Sequence, residues 1–239
     1  MNDDIKTKIK KVFSYVVIDG LTGMAWGLFS TLIIGLTIEQ LGKLIGGNVG
    51  NLIVVIGKIA ASLTGAGIGV GVAVKYKETP FVTISAAIAG LIGAFASKIL
   101  QGSVLVEGTI ILNGPGEPLG AFIASFIGII CGRWIQGKTK LDIILVPIFT
   151  IMIGGAVGLL VGPPISNFML ALGELINWAV TKQPIIMGIL VSVLMGMILT
   201  LPISSAALAI ILNLSGLAGG AATVGCCANM VGFAVASFK

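Results

Sequence analysis

The sequence predicts an all-α protein, a polytopic bundle of about 6–7 transmembrane helices with a re-entrant loop and a broken helix. Three observations lead there. The 239-residue chain is 56% hydrophobic and only 10% charged, against about 25% charged in a soluble globular chain. Phe81–Ser97, Ile143–Gly173 and Gln183–Phe238 hold no charge at all, and a bilayer crossing needs about 20 mostly apolar residues. These runs are continuously apolar, without the two-residue alternation of a membrane barrel strand.

The elements follow in order. Residues 1–12 form a basic arm carrying Lys6, Lys8, Lys10 and Lys11, and residues 13–239 form a single transmembrane domain. The first span runs from Tyr15 to Ile38, too long for a signal-peptide core and followed by further spans. A glycine-rich loop, Gly42–Gly50, leads to a second span ending near Val74. The Lys75–Glu78 turn then gives way to a third span from Pro80 to Leu100. Residues 101–118 contain Asn113-Gly114-Pro115-Gly116-Glu117-Pro118, a turn-forming cluster. The short apolar run Leu119–Gly132 after it has the length of a re-entrant element. A further span runs from the Gln136–Asp142 turn to Gly162 and closes at Pro163-Pro164. Ile165–Lys182 reads as an amphipathic helix on the interface. Pro184–Leu201 is a span interrupted at Pro202, and the last apolar run, Leu208–Phe238, is broken at Asn213–Gly216.

Charge sets the expected topology. With the N-terminus in the cytoplasm, the arm, Lys75, Lys77, Arg133, Lys138 and Lys140 give nine basic residues inside, against Lys43, Lys98 and Lys182 outside. The net charge of +5 is thus a topology signal, with no soluble basic domain to bind nucleic acid. The chain has no histidine, which excludes Ser-His-Asp chemistry and imidazole metal sites. No metal, cofactor or catalytic residue is expected. Cys131, Cys226 and Cys227 lack zinc spacing and read as packing residues. Gly65, Gly69 and Ala73, and Gly154, Gly158 and Gly162, recur at four-residue spacing, a pattern that lets helices approach closely in lipid.

Polar groups within apolar segments are the candidate solute contacts, because they are costly there without a use. Asp19 reads either as such a group or as an interfacial cap, and Lys58 as a side chain reaching the outer surface. Glu117 and Asn113, on the Gly/Pro loop, offer a carboxylate and an amide to sugar hydroxyls, or mark an ordinary turn. Pro202 frees backbone groups beside Ser204 and Ser205, with Asn213 and Asn229 beyond. A kink satisfied by serine back-bonding is the alternative.

Gln183–Phe238, above all LPISSAA to GCCANMVGF, closely resembles a bacterial integral-membrane family of IIC type from the sugar phosphotransferase system. That family includes the perfringolysin O regulators. IDGLTGMAWGLFSTLIIG from Ile18, GAGIGVGVAV from Gly65, GEPLGAF from Gly116 and VGPP from Val161 extend the resemblance over nearly the whole chain. It implies a sugar permease subunit of the bacterial plasma membrane, dimeric as IIC-type proteins are, working with soluble phosphorylated IIA and IIB subunits. It also implies further helices beyond Lys239, so that this chain is a truncated member. Where well-studied IIC families carry a Gly-Ile-Thr-Glu-type loop and a histidine, this chain offers Gly116-Glu117-Pro118. The expected binding residues are Asn113, Glu117, Ser204, Ser205, Asp19 and Asn229, with membrane lipid and a small sugar as partners. Two rival readings are a membrane sensor of toxin or carbohydrate-gene expression acting through a soluble partner, and a transporter of a non-sugar solute such as a small anion.

Overall fold

The computed structural model describes residues 14–138, 140–198, 209, 212 and 214–237. The expected arm, the break at Pro202, Ser204, Ser205 and Asn213 lie outside the described residues. The helices are α1 (Ser14–Ile45), α2 (Gly47–Ser62), α3 (Thr64–Lys75), α4 (Pro80–Ala94), α5 (Ala96–Leu100), α6 (Pro118–Ile135), α7 (Asp142–Lys182), α8 (Pro184–Ile198) and α9 (Gly216–Ser237). Among the described residues, α1, α6, α7 over Asp142–Phe168, and α9 over Gly216–Ala236 are each long and apolar enough to cross a bilayer. The pair α2–α3, bent by 53°, adds a fifth, and α4 and α8 are shorter apolar helices. The all-α membrane bundle is therefore the fold. The chain divides into two compact units, residues 1–166 and 167–239.

Four local features differ from expectation. The Gly42–Gly50 loop shrinks to Gly46, whose φ of 67° turns the chain between α1 and α2. The Leu119–Gly132 run is one uninterrupted helix, α6, and the break in a helical path lies instead at Leu63. Pro163 and Pro164 sit inside α7, which continues to Lys182. Each removes one helix hydrogen bond, but lipid offers the backbone no other partner, and helices tolerate proline there. A small hairpin in the 101–117 loop was not expected. It pairs Leu105 with Ile110 and Val106 with Thr109, and Glu107 and Gly108 at its tip both take positive φ.

Glycine builds the first unit. A Cβ on Gly23 or Gly27 would strike the backbone at Val72 or Gly67, so α1 lies directly on α3. The other face of α3 meets α4 through Gly65 and Gly69, against Gly90 and Ala86. Gly154, Gly158 and Gly162 pack α7 against Ala124, Gly93 and Ala96. Both stripes read in the sequence are thus packing stripes.

At one end of α4, polar groups tie three segments together. Arg133 donates to Glu78 and, at 2.7 Å, to the Tyr15 hydroxyl. Tyr76 donates to the Tyr15 carbonyl at 2.6 Å, and Thr79 to Gln136 at 2.8 Å. Burial pushes the Tyr76 phenol above its ordinary range, so the hydroxyl keeps the proton it donates. Two of these segments, the Lys75–Glu78 turn and the turn after Arg133, are ones that the basic-residue count assigns to one side.

In the second unit, Val180, Val191, Met195, Ala218 and Ala222 form a small core. A Cβ on Gly225 would overlap the Ser192 carbonyl, so α8 and α9 touch backbone to backbone. Cys226 directs its thiol at the Met195 carbonyl, 3.7 Å away, as a packing residue does.

Candidate functional site

Glycine also places the polar groups. Gly35 and Gly57 bring α1 and α2 into backbone contact, with the Gly57 Cβ position 2.6 Å from the Glu39 amide. Glu39 and Lys58, the residue after Gly57, therefore flank one helix crossing. The α2–α3 path breaks just beyond it at Leu63. Ser62 donates to the Ile59 carbonyl at 2.8 Å and Thr64 to the Ala61 carbonyl at 2.6 Å, adding side-chain donors where the helical path breaks. On the α1 side, Phe29–Ile33 is wound as a π-helix, a distortion often found at functional sites.

The 112–115 loop covers this region. Gly114 and Gly116 adopt positive φ, and a side chain on Gly116 would strike Ala94. The Glu117 amide donates to the Ala94 carbonyl at 2.7 Å, and the Lys98 ammonium donates to the Asn113 carbonyl. The loop is thus held at both ends. Beneath it lies a cavity of about 460 Å³, with Glu39, Lys58, Ser62 and Asn113 in its wall beside apolar Leu32, Leu36 and Val55. A mainly apolar cavity with a few convergent polar groups is the usual form of a small-molecule site. Glu39 also pairs with Lys43 at 2.8 Å.

The expected site residues separate. Asn113 lines the cavity. Glu117 caps α6, its carboxylate accepting from the Leu119 amide at 3.2 Å and the Gly120 amide at 2.7 Å. Burial raises the affinity of this carboxyl for a proton, and the two amide donors oppose that. Asp19 pairs with Lys75 at 3.3 Å, in the region preceding α4, whereas Glu117 bonds to the last residue of α4. The two residues thus lie toward opposite ends of that helix, and their carboxylates do not share a site. Asn229 donates to the Gly196 carbonyl at 2.5 Å and so joins α9 to α8.

Sequence reading passed over Glu39, and gave Lys58 only a reach to the outer surface; Lys58 is exposed and also lines the cavity. The available signal was a pair of opposite charges near the facing ends of two apolar runs joined by a glycine-rich link.

Residues 18–239 match the family described as Phosphotransferase system, EIIC. Nothing matches the chain among curated proteins or among solved structures. The match identifies the family and does not single out the perfringolysin regulators within it. By this match over nearly its whole length, and by its apolar helices, the chain belongs to the phosphotransferase-system EIIC family and is a multi-pass membrane component related to sugar transport.

Proposed function

We propose that the chain is the sugar-translocating subunit of a phosphoenolpyruvate-dependent phosphotransferase system, with its N-terminus in the cytoplasm of a bacterial cell. It works as a homodimer with soluble phosphorylated subunits that carry out the phosphoryl transfer. The observation that carries the reading is the cavity under the 112–115 loop, where a broken helix, a π-helical turn and an irregular loop converge on Glu39, Lys58, Ser62 and Asn113. Irregular backbone at such a place in a membrane protein is tolerated where it faces protein or a watery cavity. The apolar wall suits the face of a sugar ring, and the amide, hydroxyl and charged groups suit its hydroxyls. Asn113 contacts the solute, while Glu117 acts by capping α6 where the loop ends. Alternating exposure of the cavity to the two sides of the membrane moves the solute.

Uptake of labelled hexoses into cells expressing the full chain tests this reading. Uptake above that of cells without the chain is expected. Asn113→Ala lowers it roughly three- to ten-fold, the loss of one or two hydrogen bonds. Glu117→Ala abolishes uptake with membrane insertion retained, because α6 loses its N-cap where the loop ends. Absence of uptake, together with altered transcription of carbohydrate or toxin genes, would replace the transport reading by the sensor reading.

A further inference from the structure

The charges around the cavity do not balance. Glu39 is the carboxylate in its wall, and it is already paired with Lys43. Lys58 lines the same wall as an exposed residue; its charge also acts on Glu39, but among the described residues its ammonium makes no hydrogen bond or ion pair. Lys98 adds a second positive charge behind the loop, bonded only to the neutral Asn113 carbonyl and lying 5.4 Å from the centre of the Phe95 ring. Two cations, Lys43 and Lys58, thus act on the Glu39 carboxylate, and of these the Lys58 ammonium, which faces the cavity, is the one outside the ion pair. An ammonium in a mainly apolar wall is costly unless something matches its charge.

We propose that the cavity takes an acidic sugar, a hydroxylated solute carrying one carboxylate, with the Lys58 ammonium on that carboxylate and Asn113 and Ser62 on its hydroxyls. This rests on the transport reading and narrows its substrate class. A single ammonium matches a monoanion. A phosphate group calls for more donors, such as an arginine fork, and the described lining holds no arginine. The Ser62 hydroxyl, whose proton goes to the Ile59 carbonyl, keeps its lone pairs for a sugar hydroxyl. The same ammonium chemistry would also suit the head group of an anionic lipid, so the test separates the two sources.

The full chain is purified and placed in phosphatidylcholine vesicles. Binding is measured for labelled glucuronate, galacturonate and mannuronate, each beside its neutral parent hexose. At least one acid is expected to bind about ten-fold or more tightly than its parent, the worth of one charge-assisted hydrogen bond. Lys58→Met brings each acid to the affinity of its neutral parent, and an unchanged thermal transition in the vesicles reports that the variant is folded. Lys58→Arg retains the preference, and added salt erodes it.

Equal binding of acids and parents, or a preference that survives Lys58→Met, overturns the proposal while leaving the transport reading in place. Failure to bind or take up any of the six sugars overturns both. If phosphatidylglycerol in the vesicles abolishes acid binding but spares neutral sugars, the ammonium serves a lipid head group, and the acidic-sugar proposal falls.

Discussion

Gly69→Ala is expected to cost the protein about 1–3 kcal/mol of stability, the usual penalty for forcing an extra methyl into a packed interior. The added Cβ would lie 2.2 Å from the Ala86 carbonyl oxygen, 2.6 Å from its carbon and 2.9 Å from the Ala87 Cα. All three are backbone atoms of α4, so no side-chain rotation relieves the overlap. The helices must move apart, and α3 cannot retreat because Gly71 holds its other face against Gly23. In lipid the loss is not offset by burial elsewhere, since helix association there depends on close packing. Gly188→Ala is the matched control. Its Cβ would enter open space, and alanine is the better helix former by about 0.5–1 kcal/mol. Heating both variants in mild detergent and measuring the fraction that stays monodisperse should place Gly69→Ala well below the parent and Gly188→Ala level with it or above.

Arg133→Met is the second large effect. Its guanidinium is bonded to Glu78 and Tyr15, with the Tyr15 and Tyr76 ring centres 5.9 Å and 5.7 Å away. Glu78 is only 5% exposed while Arg133 is 44% exposed. Removing the arginine therefore leaves a nearly buried carboxylate without its cation. A fully buried pair broken in this way costs about 3–5 kcal/mol. Solvent at the arginine reduces that to roughly 1.5–3 kcal/mol. Much of the loss is desolvation of the orphaned carboxylate, so Arg133→Met with Glu78→Gln should recover a large part of it. Thermal stability of the two single variants and the double variant gives the coupling directly. A double variant as unstable as the sum of the singles would mean that the two side chains act independently.

These effects separate what was legible in the sequence from what was not. Helix class and the packing stripes were legible because lipid imposes continuous apolarity and small residues at crossings, both of which are local patterns. Gly65, Gly69 and Gly154 could be read in that way. The site was less legible because it is made of long-range contacts. Glu39 and Lys58 meet only because Gly35 and Gly57 bring their helices together, and nothing local marks that crossing. Glu117 was singled out for its Gly/Pro setting, but the same setting makes it the cap of α6. Pro163-Pro164 suggested a stop by the rules of soluble helices, and α7 continues through them.

Thiol labelling tests the solute cavity most directly. In a chain whose three native cysteines are replaced, Lys58→Cys, Asn113→Cys and Ile84→Cys are made singly in cells and treated with a membrane-impermeant maleimide. Ile84 is an exposed apolar residue of α4, and as a lipid-facing position it should stay unlabelled. Cysteines at 58 and 113 should label from one side of the membrane, and a transported sugar should slow both. Silence at 58 and 113, or labelling that a transported sugar leaves unchanged, would contradict a solute path through this cavity.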